Sequence, residues 1–229
     1  MPTEPTRHVI AIDGPAASGK SSVARALAKR LGFIYVNSGA MYRAVTWFVL
    51  ENGLDPAAGE DVVRLVERSS IQCDLISDEV RLRVNGVDAS AHLRDNNVNQ
   101  AVSIVSALPR VRQILVDLMR GYARDHDVVV EGRDIASVVF PHTPFKFYID
   151  ASPEVRAQRR AAQGEDDAII VRDKADSSRA TAPLVVAKDA HVIDTSAMTI
   201  AEVVDTVVDR LRELGLTIGE RSRASSRLH

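Results

Sequence analysis

The stretch from His8 to Gly32 constrains the fold more than any other part of the chain. It begins with HVIAI, a short apolar run rich in β-branched residues, passes through DGPAASG and continues as KSSVARALAKRLG. Val23, Leu27 and Leu31 repeat at helical spacing, so the pattern predicts a buried strand, a loop and a helix that ends at Gly32. A loop this poor in side chains buries little apolar surface, and its contribution must come from its backbone.

The loop matches G-x-x-x-x-G-K-[ST] in full, with a strand before it and a helix after it, which is the context of a phosphate-binding P-loop. Such a loop points successive backbone N–H groups into one concavity, and the helix N-terminus adds its dipole. On this interpretation Lys20 is an exposed lysine that places its charge on the β- and γ-phosphates of ATP, and the Ser21 hydroxyl is a ligand of Mg²⁺. The alternative is a turn of small residues before an ordinary helix. The residues predicted to bind the donor nucleotide are Gly14, Pro15, Ala16, Ala17, Ser18, Gly19, Lys20, Ser21 and Ser22.

The rest of the chain alternates strand patterns with helix patterns. Further strands are predicted at FIYVNSG, DVVVE, FKFYID and HVID. This order predicts an α/β fold, a P-loop parallel sheet with helices on both faces. Between about 70 and 95 the pattern changes to alternation with period two, as at Val80, Leu82 and Val84, and Asn85 and Gly86 form a turn signal. This change predicts an antiparallel hairpin in an inserted lobe.

We expect one domain from 229 residues, with insertions. Residues 163–183 are polar and charged and have no strong core pattern, and a mobile lid would have to lie in such a segment. The predicted division is a P-loop core of 8–37, 98–162 and 184–215, an acceptor-binding lobe of 38–97, a short lid of 163–183, and flexible tails of 1–7 and 216–229.

Composition and charge exclude several classes of protein. Lysine and arginine total 29 against 31 aspartate and glutamate residues, so no net charge draws the chain to nucleic acid or to a membrane surface. Cys73 is the only cysteine, which excludes a disulfide framework within the chain and favours a reducing cytoplasm. The first residues, MPTEPTR, lack the apolar segment of a signal peptide, and no apolar run reaches membrane-spanning length. We expect a cytoplasmic protein with neither a nucleic-acid nor a membrane partner.

A P-loop is found in kinases for small acceptors, in GTPase switches and in motor or DNA-handling ATPases. The guanine-reading N-K-x-D motif is absent, which argues against a switch. The chain is short, and VVVEGRD does not end like a strand whose Walker-B acid precedes a hydrolytic switch, which argues against an ATPase. A kinase for a small acceptor remains.

Two further segments predict the acceptor site. NSGAMYR ends the second strand and opens a helix, and EGRD ends the central strand. Because ligands bind beyond the carboxyl ends of parallel strands, Arg43 and Arg133 are expected to converge near the P-loop. Two arginines that face an acceptor favour a phosphate ester. Each arginine alone has the ordinary interpretation of a surface ion pair, and Asp134 has a second interpretation as a helix cap.

The chain resembles the bacterial cytidylate kinases, a family of nucleoside monophosphate kinases. The matching segments, in the order of the family, are IAIDGPAASGKSS, NSGAMYRAV, AVSIVSALPRVRQ, VVVEGRDIASVVFP, RDKADSSRATAPL and DAHVIDTS. They cover most of the chain from Val9 to Ser196. SGAMYR together with EGRDI is far more specific than the P-loop alone.

The resemblance implies that ATP phosphorylates CMP or dCMP in the presence of Mg²⁺, and that the enzyme is a monomer. It assigns the CMP phosphate to Ser38, Arg43 and Arg133; the cytosine to Ser103, Arg112 and Asp134; the ribose to Asp176 and Arg179; and the adenine and phosphates of ATP to Arg156, Arg160 and Arg172. The catalytic set is then Lys20, Arg133, Arg160 and Arg172.

The lid departs from the pattern of the family. Relatives have about a dozen more residues between RR and RD, where this chain has RRAAQGEDDAIIVRD. Two other functions stay open on sequence grounds, namely a P-loop kinase for another small anion such as UMP or a hydroxy acid, and an ATP-binding module without catalysis.

Overall fold

Parallel strands form the centre of the molecule. In the computed structural model, which describes residues 7–162 and 183–217, these strands are β1 (Val9–Asp13), β2 (Ile34–Asn37), β6 (Val128–Gly132), β7 (Phe145–Asp150) and β8 (His191–Asp194). They lie in the order β2-β6-β1-β7-β8. The strands that precede the P-loop, NSGAMYR and EGRD are therefore neighbours, and their carboxyl ends meet at one edge of the sheet.

An antiparallel unit extends this sheet beyond β2. It consists of β3 (Ile71–Ile76), β4 (Glu79–Val84) and β5 (Val87–Asp88), with β4 in the middle. The predicted hairpin turn at Asn85 and Gly86 is confirmed, and both residues have positive φ. A second turn, at Ser77 and Asp78, also has positive φ at both positions and carried no glycine signal in the sequence.

The helices pack on both faces of the sheet, as predicted. Alternate residues of the strands point to opposite faces: Ala11 and Val130 contact one apolar core, and Ile12 and Val129 contact the other. The helix bounds are α1 (Lys20–Leu31), α2 (Ser38–Glu51), α3 (Gly59–Glu67), α4 (Asn96–Val105), α5 (Pro109–Asp125), α6 (Pro153–Ala161) and α7 (Ile200–Glu213), with a π-helical segment at Ile135–Val139. Residues of α2, α3, α4 and α5 complete the first core, and residues of α1 and α7 complete the second.

The first residue of the predicted C-terminal tail is not a tail residue. Leu216 is buried in the core beside α1 and α7. Gly215 has positive φ, its N–H donates to Arg212, and the N–H of Leu216 donates to Leu211, which are the two bonds of a Schellman motif. That motif turns the chain back and packs Leu216 onto the helix that it has just left.

The remaining domain bounds stay predictions, and most of the predicted lid lies outside the described residues. Within 7–162 and 183–217, no helix has the length and apolar character that crossing a bilayer requires.

Candidate active site

A cavity of about 810 Å³ opens at the carboxyl ends of β1, β2 and β6. The P-loop lines one part of it, and the start of α2 and the segment after β6 line another. The structure thus brings together the segments that the sequence predicted to bind the donor and the acceptor. The predicted site residues that line the cavity are Ala16, Ala17, Ser18, Gly19, Lys20, Ser21, Ser22, Ser38, Arg43, Ser103, Arg112, Arg133, Asp134 and Arg160.

The P-loop packs tightly against the end of β7. A Cβ at Gly14 would lie 2.1 Å from the carbonyl oxygen of Ile149, so no larger residue fits there. Gly14 and Pro15 do not line the cavity, and Gly14 contributes by this close approach. Ala17 has φ of 58°, an unusual value for alanine that curls the loop backbone.

Lys20 is not an exposed lysine, as the sequence analysis expected, because only 7% of it is accessible. It occupies the first turn of α1, and its Nζ donates to the carbonyl oxygen of Pro15 at 3.0 Å. The side chain thus folds back over the loop, and its charge stays beside the concavity that the loop backbone forms.

Glu131 is a site residue that the sequence analysis missed. It is the penultimate residue of β6, is 2% exposed, and accepts the Ser21 hydroxyl at 2.8 Å through Oε2. Its other oxygen, Oε1, accepts the hydroxyl of Tyr35 at 2.5 Å. Glu131 thus contacts the serine that follows the P-loop lysine, as a Walker-B acid does. The expectation that VVVEGRD does not precede a hydrolytic switch stays a prediction.

Tyr35 holds its proton firmly. Burial raises the pKa of Tyr35 well above its usual range, and the charge of Glu131 raises it further. The hydroxyl is therefore a donor to Glu131 at any ordinary pH.

The donor set suits a hard divalent cation of the Mg²⁺ type. Ser21 offers one neutral oxygen, and Glu131 fixes its proton. Among the described residues there is no group of three or more histidine, cysteine, aspartate or glutamate residues that could hold a metal. One neutral hydroxyl oxygen beside a carboxylate fits an ion that is held mainly by phosphate oxygens and water, as Mg²⁺ commonly is in phosphoryl-transfer sites.

The start of α2 is fastened to the end of β6. Asn37 caps the helix by accepting the N–H of Ala40 at 2.9 Å, and Ser38 donates to the carbonyl oxygen of Glu131 at 2.7 Å. Gly132 is necessary here, because a Cβ at that position would lie 2.5 Å from the Ser38 hydroxyl. These contacts place the N-terminus of α2 beside the P-loop.

Two cavity arginines flank this helix start. Arg43, on α2, donates to the side chain of Asn99 at 2.6 Å and to the carbonyl oxygen of Leu93 at 2.9 Å. Arg133 is half-buried in the segment after β6. Both line the cavity, so the predicted convergence of Arg43 and Arg133 is confirmed.

Arg112 and Asp134 form a buried ion pair, and each is 4% exposed. Arg112 also donates to the carbonyl oxygen of Ser106 at 3.2 Å, and its guanidinium lies 5.5 Å from the centre of the Tyr42 ring. The pair and the predicted Ser103 line the same cavity. The charges are thus fixed in position before any ligand binds.

The cap of the π-helical segment is Asp13, which the sequence analysis also missed. Its carboxylate accepts the N–H groups of Ile135 at 2.9 Å and Ala136 at 2.8 Å. Burial raises the pKa of Asp13 to about 6, although the two hydrogen bonds lower it. Asp134 occupies the N-cap position of this segment, as its second interpretation predicted, but its side chain makes no cap bond and pairs with Arg112 instead.

The arginines of α6 that line the cavity are Arg159 and Arg160, whereas the sequence analysis predicted Arg156 and Arg160. Arg160 lines the cavity, whereas Arg156 does not and donates to the carbonyl oxygen of Ala16 at 3.2 Å. Arg159, which the sequence analysis did not single out, lines the cavity and donates to Ser18 at 3.0 Å and to Thr195 at 2.8 Å through their carbonyl oxygens. Helical spacing alone does not fix which side of α6 faces the P-loop.

Three predicted residues of the lid, Arg172, Asp176 and Arg179, lie outside the described residues.

Comparison with known proteins identifies the family. The family model described as cytidylate kinase matches residues 10–213. The chain is 46% identical over 220 residues to a cytidylate kinase of Mycobacterium leprae, an alignment that covers 91% of this chain and 97% of the relative. It is 47% identical over 228 residues to a cytidylate kinase of Corynebacterium efficiens, with 93% and 96% covered.

Among solved structures, the chain is similar to an uncharacterized protein from Eubacterium ventriosum. The TM-score is 0.50 at 12% identity, with 90% of this chain and 99% of that chain covered. This likeness concerns the fold alone. The family model and the curated relatives together give the conclusion that the chain belongs to the cytidylate kinase family.

Proposed function

We propose that the protein transfers the γ-phosphoryl group of ATP to CMP or dCMP, which yields ADP and CDP or dCDP. The observation that carries the proposal is a single cavity with the P-loop in one part and the buried Arg112–Asp134 pair in another. Membership of the cytidylate kinase family supports the same reaction.

At the donor end, the P-loop backbone and Lys20 would bind the phosphates of ATP. Mg²⁺ would be held by Ser21, and when bound it neutralises charge on the phosphate oxygens. Glu131 keeps the Ser21 proton directed at itself, so that the oxygen lone pairs of Ser21 stay available. Arg156 supports the loop through Ala16, and Arg160 adds a positive charge at the cavity wall.

At the acceptor end, Ser38, Arg43 and Arg133 would bind the phosphate of CMP. Ser103, Arg112 and Asp134 would bind the cytosine, because a carboxylate accepts from the amino group of that base. Asp176 and Arg179 would contact the ribose, and Arg172 would reach the transferred group from the lid.

The reaction needs no nucleophilic side chain. A phosphate oxygen of CMP forms a bond to the γ-phosphorus of ATP while the bond to the bridging oxygen breaks, and that oxygen leaves with ADP. The transition state is loose, so the side chains act mainly by positioning and by stabilising charge. The catalytic residues would be Lys20, Arg133, Arg160 and Arg172.

We also propose that the chain is divided into a P-loop core, an acceptor-binding lobe and a lid. A lid over 163–183 would exclude water, which otherwise competes for the phosphoryl group. We further propose a monomer in the cytoplasm, a location that the single cysteine favours.

One assay tests the function. ADP release is measured with ATP, Mg²⁺ and each of CMP, dCMP, UMP, AMP and shikimate in turn. We expect turnover with CMP and dCMP well above the others. Turnover with UMP or shikimate alone would identify a different P-loop kinase, and ATP binding without turnover on any acceptor would identify a binding module.

A further inference from the structure

We propose that Tyr35 is a positioning residue for the donor site. Its hydroxyl fixes the Glu131 carboxylate in the orientation that accepts the Ser21 hydroxyl, which leaves the Ser21 oxygen directed at the metal of the nucleotide. This inference rests on the proposed function, since it concerns how the same site binds Mg²⁺ together with ATP or ADP.

The register of the sheet brings Tyr35 to Glu131. Tyr35 pairs with Val129, and Asn37 pairs with Glu131, so the tyrosine and the glutamate are diagonal neighbours on one face of β2 and β6. A long aromatic side chain spans that diagonal. The face is the one that packs on α1, where Ser21 lies in the first turn.

The hydrogen bonds run from Asn37 through Tyr35 to Glu131, and the direction of each fixes the direction of the next. Asn37 uses its side-chain oxygen to accept from Ala40, so its amide nitrogen faces the Tyr35 oxygen at 3.1 Å. An amide nitrogen only donates, and therefore the Tyr35 oxygen accepts from Asn37 and gives its own proton to Glu131. Ser21 then donates to the second oxygen of Glu131.

Tyr35 is itself held rigidly. Only 2% of it is exposed, and the guanidinium of Arg25 lies 4.9 Å from the centre of its ring. Arg25 in turn pairs with Glu79. The hydroxyl therefore has a fixed position from which to direct Glu131.

Glu131 needs such a partner. A glutamate side chain has three rotatable bonds, and a buried carboxylate is stable only when donors satisfy its oxygens. Without the Tyr35 hydroxyl, Oε1 loses one of its donors, and the carboxylate gains freedom to rotate away from Ser21. The Ser21 proton then has no fixed direction, and metal binding at its oxygen weakens.

The test compares ADP binding with and without the metal. Isothermal titration calorimetry gives the Kd of ADP in Mg²⁺ and in EDTA for the wild type and for Tyr35→Phe. We expect the Kd with Mg²⁺ to rise about 10-fold in the variant, the change that corresponds to losing a hydrogen bond to a charged group, while the Kd in EDTA stays the same. Tyr122→Phe, on α5 against His126, removes the same atom away from the cavity and should change neither value.

A double-variant cycle shows whether Tyr35 acts through Glu131. If it does, adding Tyr35→Phe to Glu131→Gln should weaken Mg²⁺–ADP binding by much less than 10-fold. Equal losses in both backgrounds would overturn the inference. So would a Tyr35→Phe variant whose Kd rises equally in Mg²⁺ and in EDTA, since that result indicates a purely structural role.

The Mg²⁺ dependence of ADP binding by the wild type distinguishes failure of the proposed metal site from failure of the inference about Tyr35. A wild type that binds ADP equally well with and without Mg²⁺ would overturn the proposed metal site and this inference with it. A wild type that prefers Mg²⁺, and a Tyr35→Phe variant that keeps the full preference, would overturn the inference alone. If the variant is too unstable for calorimetry, the rise in Tm that ADP produces in Mg²⁺ and in EDTA gives the same comparison.

Discussion

The guanidinium of Arg112 donates to the carboxylate of Asp134 inside the cavity, and the pair is almost completely buried. The arginine holds the aspartate side chain in a fixed direction. A charged carboxylate attracts the amino group of cytosine and repels the carbonyl oxygen that uracil has at the same edge. In the proposed cytosine site, the Asp134 carboxylate would thus distinguish the two bases by charge.

We predict that kcat/KM is higher for CMP than for UMP by a factor that corresponds to roughly 1–3 kcal/mol. Asp134→Asn should narrow this ratio, because an amide can rotate and donate to uracil. The variant will also be less stable, since it leaves Arg112 without its counter-charge. Asp117→Asn, on the exposed side of α5, is the matched control and should keep the ratio. Equal kcat/KM values for CMP and UMP in the wild type would contradict the assignment.

Arg43→Ala and Arg133→Ala should each raise the KM for CMP far more than the KM for ATP. Both arginines line the cavity beside the start of α2, and losing a hydrogen bond to a charged phosphate costs about 1.5–3 kcal/mol. Steady-state kinetics with each substrate varied in turn measures the split. Arg64→Ala, on the surface of α3, should change neither constant. A rise in the KM for ATP alone would mean that the acceptor site has been placed wrongly.

The buried Asp13 predicts an unusual dependence of stability on pH. Its pKa in the folded protein, about 6, is above the value of 3.8 for an exposed aspartate, so the folded state binds the proton more tightly than the unfolded chain. The contribution is therefore fully present below about pH 4 and is lost as the pH rises through about 6. Over that window it amounts to about 3 kcal/mol at most. Chemical denaturation at pH 4.5 and 7.5 should show that Asp13→Asn removes this difference, and an unchanged difference would contradict the prediction.

Protonation of Asp13 should at the same time weaken the segment that it caps. A neutral carboxyl group has one fewer strong acceptor for Ile135 and Ala136, and Arg133 and Asp134 directly precede the segment. We expect kcat/KM for CMP to fall as the pH drops below about 6. The phosphate of CMP also titrates near pH 6, so the profile of Asp13→Asn serves as the control that retains the substrate's own titration.

The lid motif RDKADSSR predicts a division between catalysis and binding. An interaction made only in the transition state lowers kcat and kcat/KM equally when it is removed. Arg172→Ala should therefore lower kcat with little change in either KM, and Asp176→Ala should mainly raise the KM for CMP. If Arg172→Ala has the kinetics of the wild type, the shortened lid does not bring that arginine to the phosphates.

Features that depend on neighbouring residues were predictable from the sequence. The P-loop, the parallel strands and the Asn85–Gly86 turn each rest on a short local pattern, and the structure confirms them. The convergence of Arg43 and Arg133 was also predictable, because parallel topology places strand ends at one edge.

Features that depend on the packing of distant segments were not predictable in the same way. Glu131 and Asp13 each directly follow the apolar run of a strand, and an acid in that position is a signal that a buried polar partner is needed. The sequence does not say which partner, and the partners Ser21, Tyr35 and Ile135 are distant along the chain. The orientation of α6 likewise decides that Arg159 faces the cavity and Arg156 does not.

The join between β2 and β4 has a consequence for local unfolding. Tyr35 and Glu79 are the only paired residues between these two strands, and the Tyr35 N–H donates to Asp78, whereas β3 and β4 pair over the whole range Ile71–Ile76. The antiparallel unit can therefore separate from β2 with the loss of far fewer backbone hydrogen bonds than the opening of its own ladder requires. In amide hydrogen exchange, the Tyr35 amide would report that separation and the amides of β4 would report unfolding of the hairpin. Because Tyr35 and Glu79 both line the cavity, we expect ligand binding there to slow exchange of the Tyr35 amide.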